Sequence, residues 1–517
     1  MRSKVRWILD TQTANEAFYG FLKSRAESDS KNINSESGRE TSAKNLSVFF
    51  ATLCVIDLFG VFPIVALPEA IISCGPYGIP LVVFVIIVQI YTGVILGKCW
   101  IIAEKLEPSI VEKNRYPYAA IAELTYGKYM SVFVTFLLDI TVFGGGIPNL
   151  LVASQNLQLL GLRISEGSFN LSFCLWLIVI GIFICPIMWL GSPKNMKELA
   201  TVSVITTSCV AILTWYCIEM DKSDANTSIV NIQDMKVTTF SVKNLLKAYG
   251  IIAFQFDIHP MLLTIQMDMR RNERENIGIA VSLGIIVTVI LSTITTLLAA
   301  FKYGSSTTPN ILEILPRSWS LYVIIFLVTV QLCLSSAIGN SALFQHIEDI
   351  LSASRDFTIK RCLIRSSLVC LAVIIGELLP RFDMVMGLIG GTLTGPLIFI
   401  LPPLFFTRIL HLEDVFDRKM DQLDDDGSNF EKKVSSYGTI TYSPASAKTQ
   451  HLSRKWRSVR KYCEILHSDC LISILVISFG LIATFATTYF NVAETLSIIS
   501  FSSPCIQKLT NDSLGIL

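Results

Sequence analysis

Charge is what this 517-residue chain is short of. Asp, Glu, Lys and Arg make up 16% of it, where a soluble domain carries about 25%, and long stretches hold none. That shortage excludes a soluble enzyme, and an apolar content of 52% excludes a disordered scaffold. Neither sign is in excess. Forty-two Lys and Arg against 41 Asp and Glu leave a net charge of +1, so no basic face is on offer to nucleic acid. Residues 1–45 are polar and mixed in charge around one apolar cluster, Trp7-Ile8-Leu9, and do not read as a signal peptide. No spacing of His and Cys suits a metal, and no cofactor is expected. With a mean hydropathy of +0.56, this is a polytopic membrane protein embedded in the lipid bilayer.

A membrane span takes about 20 apolar residues, and eleven segments qualify. They fall near 47–74, 79–100, 129–160, 171–190, 199–219, 245–266, 277–301, 319–347, 362–379, 384–407 and 470–490. Orientation follows from Lys and Arg, which concentrate on cytosolic segments. With the N-terminus inside, 33 of the 42 lie on that face. The chain then divides into a cytosolic tail (1–45), a ten-helix core (46–407), a cytosolic linker loop (408–468), an eleventh helix (469–490) and an outer or lumenal C-terminal tail (491–517). The linker is Ser-rich and carries Asp424-Asp425-Asp426, so it reads as flexible.

Of the thirteen cysteines, Cys54, Cys174, Cys185, Cys209, Cys333 and Cys370 lie in apolar runs and read as small core residues. Cys74, Cys217 and Cys505 fall near the outer face, where oxidation is feasible. Asn226-Thr227-Ser228 lies in the largest outer loop and is the expected glycosylation site. Tyr19-Gly20-Phe21-Leu22 and Tyr437-Gly438-Thr439-Ile440 have the Tyr-x-x-apolar form that sorting adaptors read, which leans toward endolysosomal or vesicular membranes over the plasma membrane.

Two spans carry helix-breaking chemistry. The first holds Asp57-Leu58-Phe59-Gly60-Val61-Phe62-Pro63 and then Leu67-Pro68-Glu69-Ala70; the sixth holds Tyr249-Gly250 through Asp257-Ile258-His259-Pro260. A mid-span proline removes a donor and clashes with the preceding turn, and in lipid the freed carbonyls need other partners. Breaks five spans apart, in helices of opposite direction, are the mark of an inverted repeat with a substrate site at the breaks. Such a site offers backbone N–H groups to a carboxylate and carbonyls or acids to an ammonium, both of which an α-amino acid carries.

These motifs also resemble a known family. Gly250-Ile251-Ile252-Ala253-Phe254-Gln255-Phe256-Asp257-Ile258-His259-Pro260, Ala66-Leu67-Pro68-Glu69-Ala70, and Gly390-Gly391-Thr392 with Pro396 to Pro403 are similar to the sixth, first and tenth spans of the amino acid/auxin permease family. The resemblance covers about residues 45–490. It implies eleven helices on the leucine-transporter-type 5+5 inverted repeat plus one extra helix, moving amino acids with protons or, in some members, sodium. One departure is Val61-Phe62-Pro63, where the family often has Gly-x-Gly; Phe62 is expected to shrink or cover the pocket.

Ionisable residues inside a bilayer are functional candidates. They are Asp57, Asp139, Asp257 and His259, with Glu69 and Glu377 nearer the ends, and no Lys or Arg lies mid-span. Asp57 either binds a proton or the substrate ammonium, or pairs with a polar neighbour. Asp139, at similar depth, is a coupling candidate five residues before Gly144-Gly145-Gly146, which ease helix packing. Asp257 caps the second half of the sixth span or faces substrate, and His259 titrates or stays neutral against a carbonyl. Gly60, Val61, Phe62, Phe254, Phe256 and Asn149 are candidate pocket residues; Ser335 and Ser336 are candidate sodium ligands, or small packing residues. The reading is a proton-coupled secondary active transporter of small neutral amino acids working by alternating access. Its rivals are a sodium-coupled carrier and an amino-acid sensor with little flux. An intramembrane enzyme is disfavoured, because His259 has no second mid-span His and no nucleophile beside it.

Overall fold

The computed structural model describes residues 46–110, 116–166, 171–189, 196–221, 241–353, 357–435 and 471–496. Asn226, Tyr19, Tyr437 and Cys505 lie outside the described residues, as do the N-terminal tail and the end of the C-terminal one.

The described residues form helices joined by turns, and the surface they turn outward is apolar. Ile182, Phe301, Phe485 and Tyr489 are all more than half exposed, whereas Gln89, Thr92, Asn156, His259 and Gln266 are buried. A water-soluble fold would invert that arrangement; lipid outside permits it. Among the described residues, eight helices are long and apolar enough to cross a membrane, and Val48–Phe59 and Phe173–Trp189 are shorter apolar helices.

In chain order, α1 (Val48–Phe59), α2 (Phe62–Val65) and α3 (Leu67–Ile72) make up the first apolar segment. Ser47 starts it, its hydroxyl accepting from the Phe50 N–H, while the Glu273 carboxylate takes the Val48 N–H at 2.9 Å. Next come α4 (Gly78–Leu106), α5 (Pro117–Tyr126), α6 (Lys128–Ile164), α7 (Phe173–Trp189) and α8 (Met196–Met220). The sixth segment is again split, into α9 (Val242–Gln255) and α10 (His259–Asp268). Then follow α11 (Ile277–Lys302), α12 (Trp319–Gly339), α13 (Ser341–Ile350), α14 (Ile359–Leu378) and α15 (Phe382–Ile389). Two π-helical turns, Gly390–Thr394 and Pro396–Ile400, lead into α16 (Leu401–Ser435), and Leu471–Leu496 forms α17. Each of the eleven apolar segments is therefore helical over most of its length.

Packing places the two split segments at the centre. Helix α1 lies on α8 and α11, α6 lies on α12, and α9 crosses α15 and the first π turn. That last crossing depends on glycine: a Cβ on Gly390 would lie 1.9 Å from the Gly250 carbonyl oxygen, and one on Gly250 would lie 2.4 Å from that of Gly387. On its other side the π region receives hydrogen bonds from α17, Asn491 to the Gly387 carbonyl at 2.8 Å and Thr487 to that of Gly391 at 3.2 Å. The eleventh helix is thus fastened to the core rather than appended to it.

Two expectations need correction. The linker expected over 408–468 is helical as far as Ser435. No proline lies between Pro403 and Pro444 to stop α16, and Lys105 tethers its early turns through Glu413 (2.9 Å) and Asp417 (3.1 Å). Cys174, read as a small core residue, is disulfide-bonded, while Cys74 and Cys217 are free thiols.

Candidate functional site

The first break is set by Gly60. Its N–H still closes the last turn of α1 onto the Ile56 carbonyl at 3.1 Å, but its own φ is +57°, a left-handed conformation suited to glycine. The chain re-enters helix at Phe62 with Pro63 in the first turn, where a missing N–H costs nothing. The N–H groups of Val61 and Phe62 have no backbone acceptor among the described residues.

The second break spans Phe256, Asp257 and Ile258. Asp257 caps α10 from just outside it, one carboxylate oxygen accepting from the His259 N–H at 3.2 Å, with Pro260 in the first turn.

Between the breaks lies a cavity of about 160 Å³. Asp57 to Phe62 supply one wall, and Phe254, Gln255, Asp257, Pro260 and Met261 another. Helix α6 adds Thr141, Val142, Gly145, Gly146 and Asn149; α12 adds Gln331, Ser335 and Ser336, followed by Asn340, and the π turn adds Thr394. Phe62 and Phe254 meet edge to face, with ring centroids 6.4 Å apart.

Asp57 accepts from the Gln331 amide at 3.5 Å, and the same amide nitrogen donates to the Ser203 hydroxyl. Gln331 thereby joins the first, fifth and eighth apolar segments beside the cavity. Several lining groups have no such partner. Among the described residues, both polar atoms of the Gln255 amide and the Ser336 hydroxyl are buried without a hydrogen bond.

The cavity thus brings together Asp57, Gly60, Val61, Phe62, Asn149, Phe254, Asp257, Ser335 and Ser336. It leaves out three other candidates. Phe256 is fully buried and packs edge-on against Phe59, with centroids 5.4 Å apart. His259 is also fully buried, one ring nitrogen 3.0 Å from the Thr92 hydroxyl and the other 3.7 Å from Asp257. Asp139 faces elsewhere: its oxygens accept from Tyr116 at 3.0 Å and meet His346 at 2.8 Å. The residues missed by sequence reasoning are Gln255, Gln331, Asn340, Thr141 and Thr394. Gln255 alone carried a signal, being an amide inside a broken apolar segment. The polar residues in the second half of α6 go different ways: Asn149 lines the cavity, Asn156 accepts from Asn310 at 3.0 Å, and Gln155 donates to the Pro380 carbonyl at 3.3 Å.

Residues 42–420 match the family model of the transmembrane amino acid transporter protein, the amino acid/auxin permease family. The vesicular inhibitory amino acid transporter of Rattus norvegicus is 26% identical over 379 residues, covering 67% of this chain and 66% of that one. Amino acid transporter AVT1C of Arabidopsis thaliana is 22% identical over 376 residues, 71% of this chain and 64% of that one. The chain therefore spans just under two thirds of the length of these curated relatives. Among solved structures, MhsT in complex with L-phenylalanine superposes with a TM-score of 0.50 at 12% identity, covering 86% of this chain and 100% of that one. At that identity the likeness shows the fold alone, one of leucine-transporter type.

Proposed function

The chain belongs to the transmembrane amino acid transporter protein family, and we propose that it is a secondary active, proton-coupled carrier of small neutral amino acids. One observation carries the reading: two broken helices meet at a single cavity whose lining holds two acids, Asp57 and Asp257, and no Lys or Arg. An α-amino acid needs an anion for its ammonium and donors for its carboxylate. Asp57 and Asp257 offer the first. The unengaged N–H groups of Val61 and Phe62 offer the second.

Size argues for small substrates. A water needs about 10–15 Å³ of such space, so 160 Å³ corresponds to about eleven to sixteen waters, room for one free amino acid and not for a peptide.

For coupling, Asp257 joins the cavity to His259, whose far nitrogen reaches Thr92 in α4. A proton held on this pair alters the charge of the cavity wall and of the break at once. Movement follows the inverted-repeat scheme, with two five-helix halves rocking about the breaks and an eleventh helix outside them. Vesicular relatives and the Lys/Arg bias support a vesicular or endolysosomal membrane with the N-terminus in the cytosol. On that reading Tyr19 and Tyr437 face sorting adaptors and Asn226 is glycosylated on the opposite face.

A sodium-coupled version draws on a specific observation, the unpartnered Ser336 hydroxyl beside Ser335 in the cavity wall. Uptake of a labelled amino-acid panel into proteoliposomes, under a pH gradient and with or without sodium, tests both. Gradient-driven, sodium-independent uptake of alanine or glycine is the expected result. Sodium dependence transfers the coupling role to the serines, and binding without flux replaces the carrier with a sensor.

A further inference from the structure

Behind the main cavity lies a smaller hollow of about 20 Å³. At about 10–15 Å³ per water in this measure, it has room for one or two small groups. Phe143, Ile184, Met188, Phe344, Val369 and Ala372 give it an apolar wall. Three residues border both spaces: Gly146, Ser336 and Asn340.

Asn340 is the partition. It is 8% exposed, and its Nδ2 donates at 2.9 Å to the Ser336 carbonyl one turn earlier. Gly146 makes space for it: a Cβ there would lie 2.8 Å from that same nitrogen. The carboxamide is therefore held against bare backbone of α6, between a polar chamber and an apolar one. The unpartnered Ser336 hydroxyl sits on the same divide, so an apolar side chain reaching across would have to pass two polar groups without satisfying either.

We propose that Asn340 is the size filter for the substrate's side chain, closing an apolar pocket that would otherwise extend the amino-acid site. The proposal rests on the carrier reading above. With the carboxamide in place the site ends at a polar wall and suits glycine or alanine. With it removed, the two hollows become one whose far end suits a branched aliphatic or thioether side chain such as leucine or methionine.

The test compares uptake of labelled alanine and labelled leucine by the full-length protein in proteoliposomes. Asn340→Ala is expected to raise the leucine-to-alanine ratio of kcat/KM by about tenfold or more, one methylene in an apolar pocket being worth about 10–200-fold. Asn340→Ser shifts the ratio the same way by less and serves if the alanine variant does not fold. Adding Ala372→Leu to Asn340→Ala fills the pocket from its far wall and returns the ratio toward wild type, which a general loosening of the site would not do. Wild-type uptake of alanine, with a ratio that neither Asn340 variant moves, overturns the filter and leaves the carrier standing. A wild type that takes up no amino acid overturns the carrier and the filter with it.

Discussion

Replacing Gln255 with methionine should make the empty protein more stable and the carrier worse. Gln255 ends the first half of the split sixth segment, is 4% exposed, lines the cavity, and leaves both its amide nitrogen and its oxygen without a partner. Each buried polar group left unsatisfied costs about 1–3 kcal/mol. Methionine has the same chain length and removes both groups with little change in volume, so Gln255→Met should gain at least about 1 kcal/mol. Such a penalty makes sense if substrate satisfies the amide on binding. A hydrogen bond to a charged group is worth about 1.5–3 kcal/mol, so its loss should raise KM about tenfold to a hundredfold. Melting of the purified protein in detergent, with and without alanine, reads the first effect, and proteoliposome uptake reads the second. The variant should melt higher than wild type when empty and gain less from added alanine. A lower melting point without substrate, or a wild-type KM, would refute the assignment of this amide to substrate.

Three further predictions concern other parts of the molecule. His259→Gln keeps a group able to bond Thr92 but cannot titrate, so stimulation of uptake by an imposed pH gradient should disappear; acid stimulation as large as in wild type removes the coupling role. Arg365 is fully buried, bonded to Glu348 at 2.6 Å and to the Met188 carbonyl. Arg365→Met should cost about 3 kcal/mol in thermal unfolding, the low end for a broken buried pair because Arg361 still reaches Glu348 at 3.3 Å, and Arg365→Met with Glu348→Met should recover part of it. Glu313, in the loop between α11 and α12, has its carboxyl raised above the ordinary range by burial and by the charge of Asp383. Its contribution to stability is present below the unfolded-state value and is lost as pH rises through the raised one. Glu313→Gln should therefore be more stable than wild type at neutral pH and gain nothing at low pH in a pH-dependent melting series.

Both helix breaks were legible in the sequence because their causes are local. Gly60 followed by Pro63, and Asp257 followed by Pro260, act through their own backbone, and the structure interrupts both segments there. What surrounds the breaks was less legible, because it depends on partners distant in the chain. Asp139 looked equivalent to Asp57 by depth, yet Tyr116 and His346, 23 and 207 residues away, engage both of its oxygens. The part of α16 beyond residue 407 read as linker because it is polar and charged, and Lys105, some 300 residues earlier, supplies the tether that composition does not reveal. The site follows the same logic. Counting apolar residues finds the face a helix turns to lipid, while function lies on the opposite face, where polar groups must either pair or wait for a ligand. Gln331, Ser203 and Asp57 pair with one another, and Gln255 and Ser336 pair with nothing. Sequence reading singled out Asp57 and Ser336 and passed over Gln331, Ser203 and Gln255, although all five are polar residues in apolar runs. The three-dimensional pairing separates those that hold the bundle together from those left without a partner beside the cavity, and it is the second group that the carrier reading assigns to substrate.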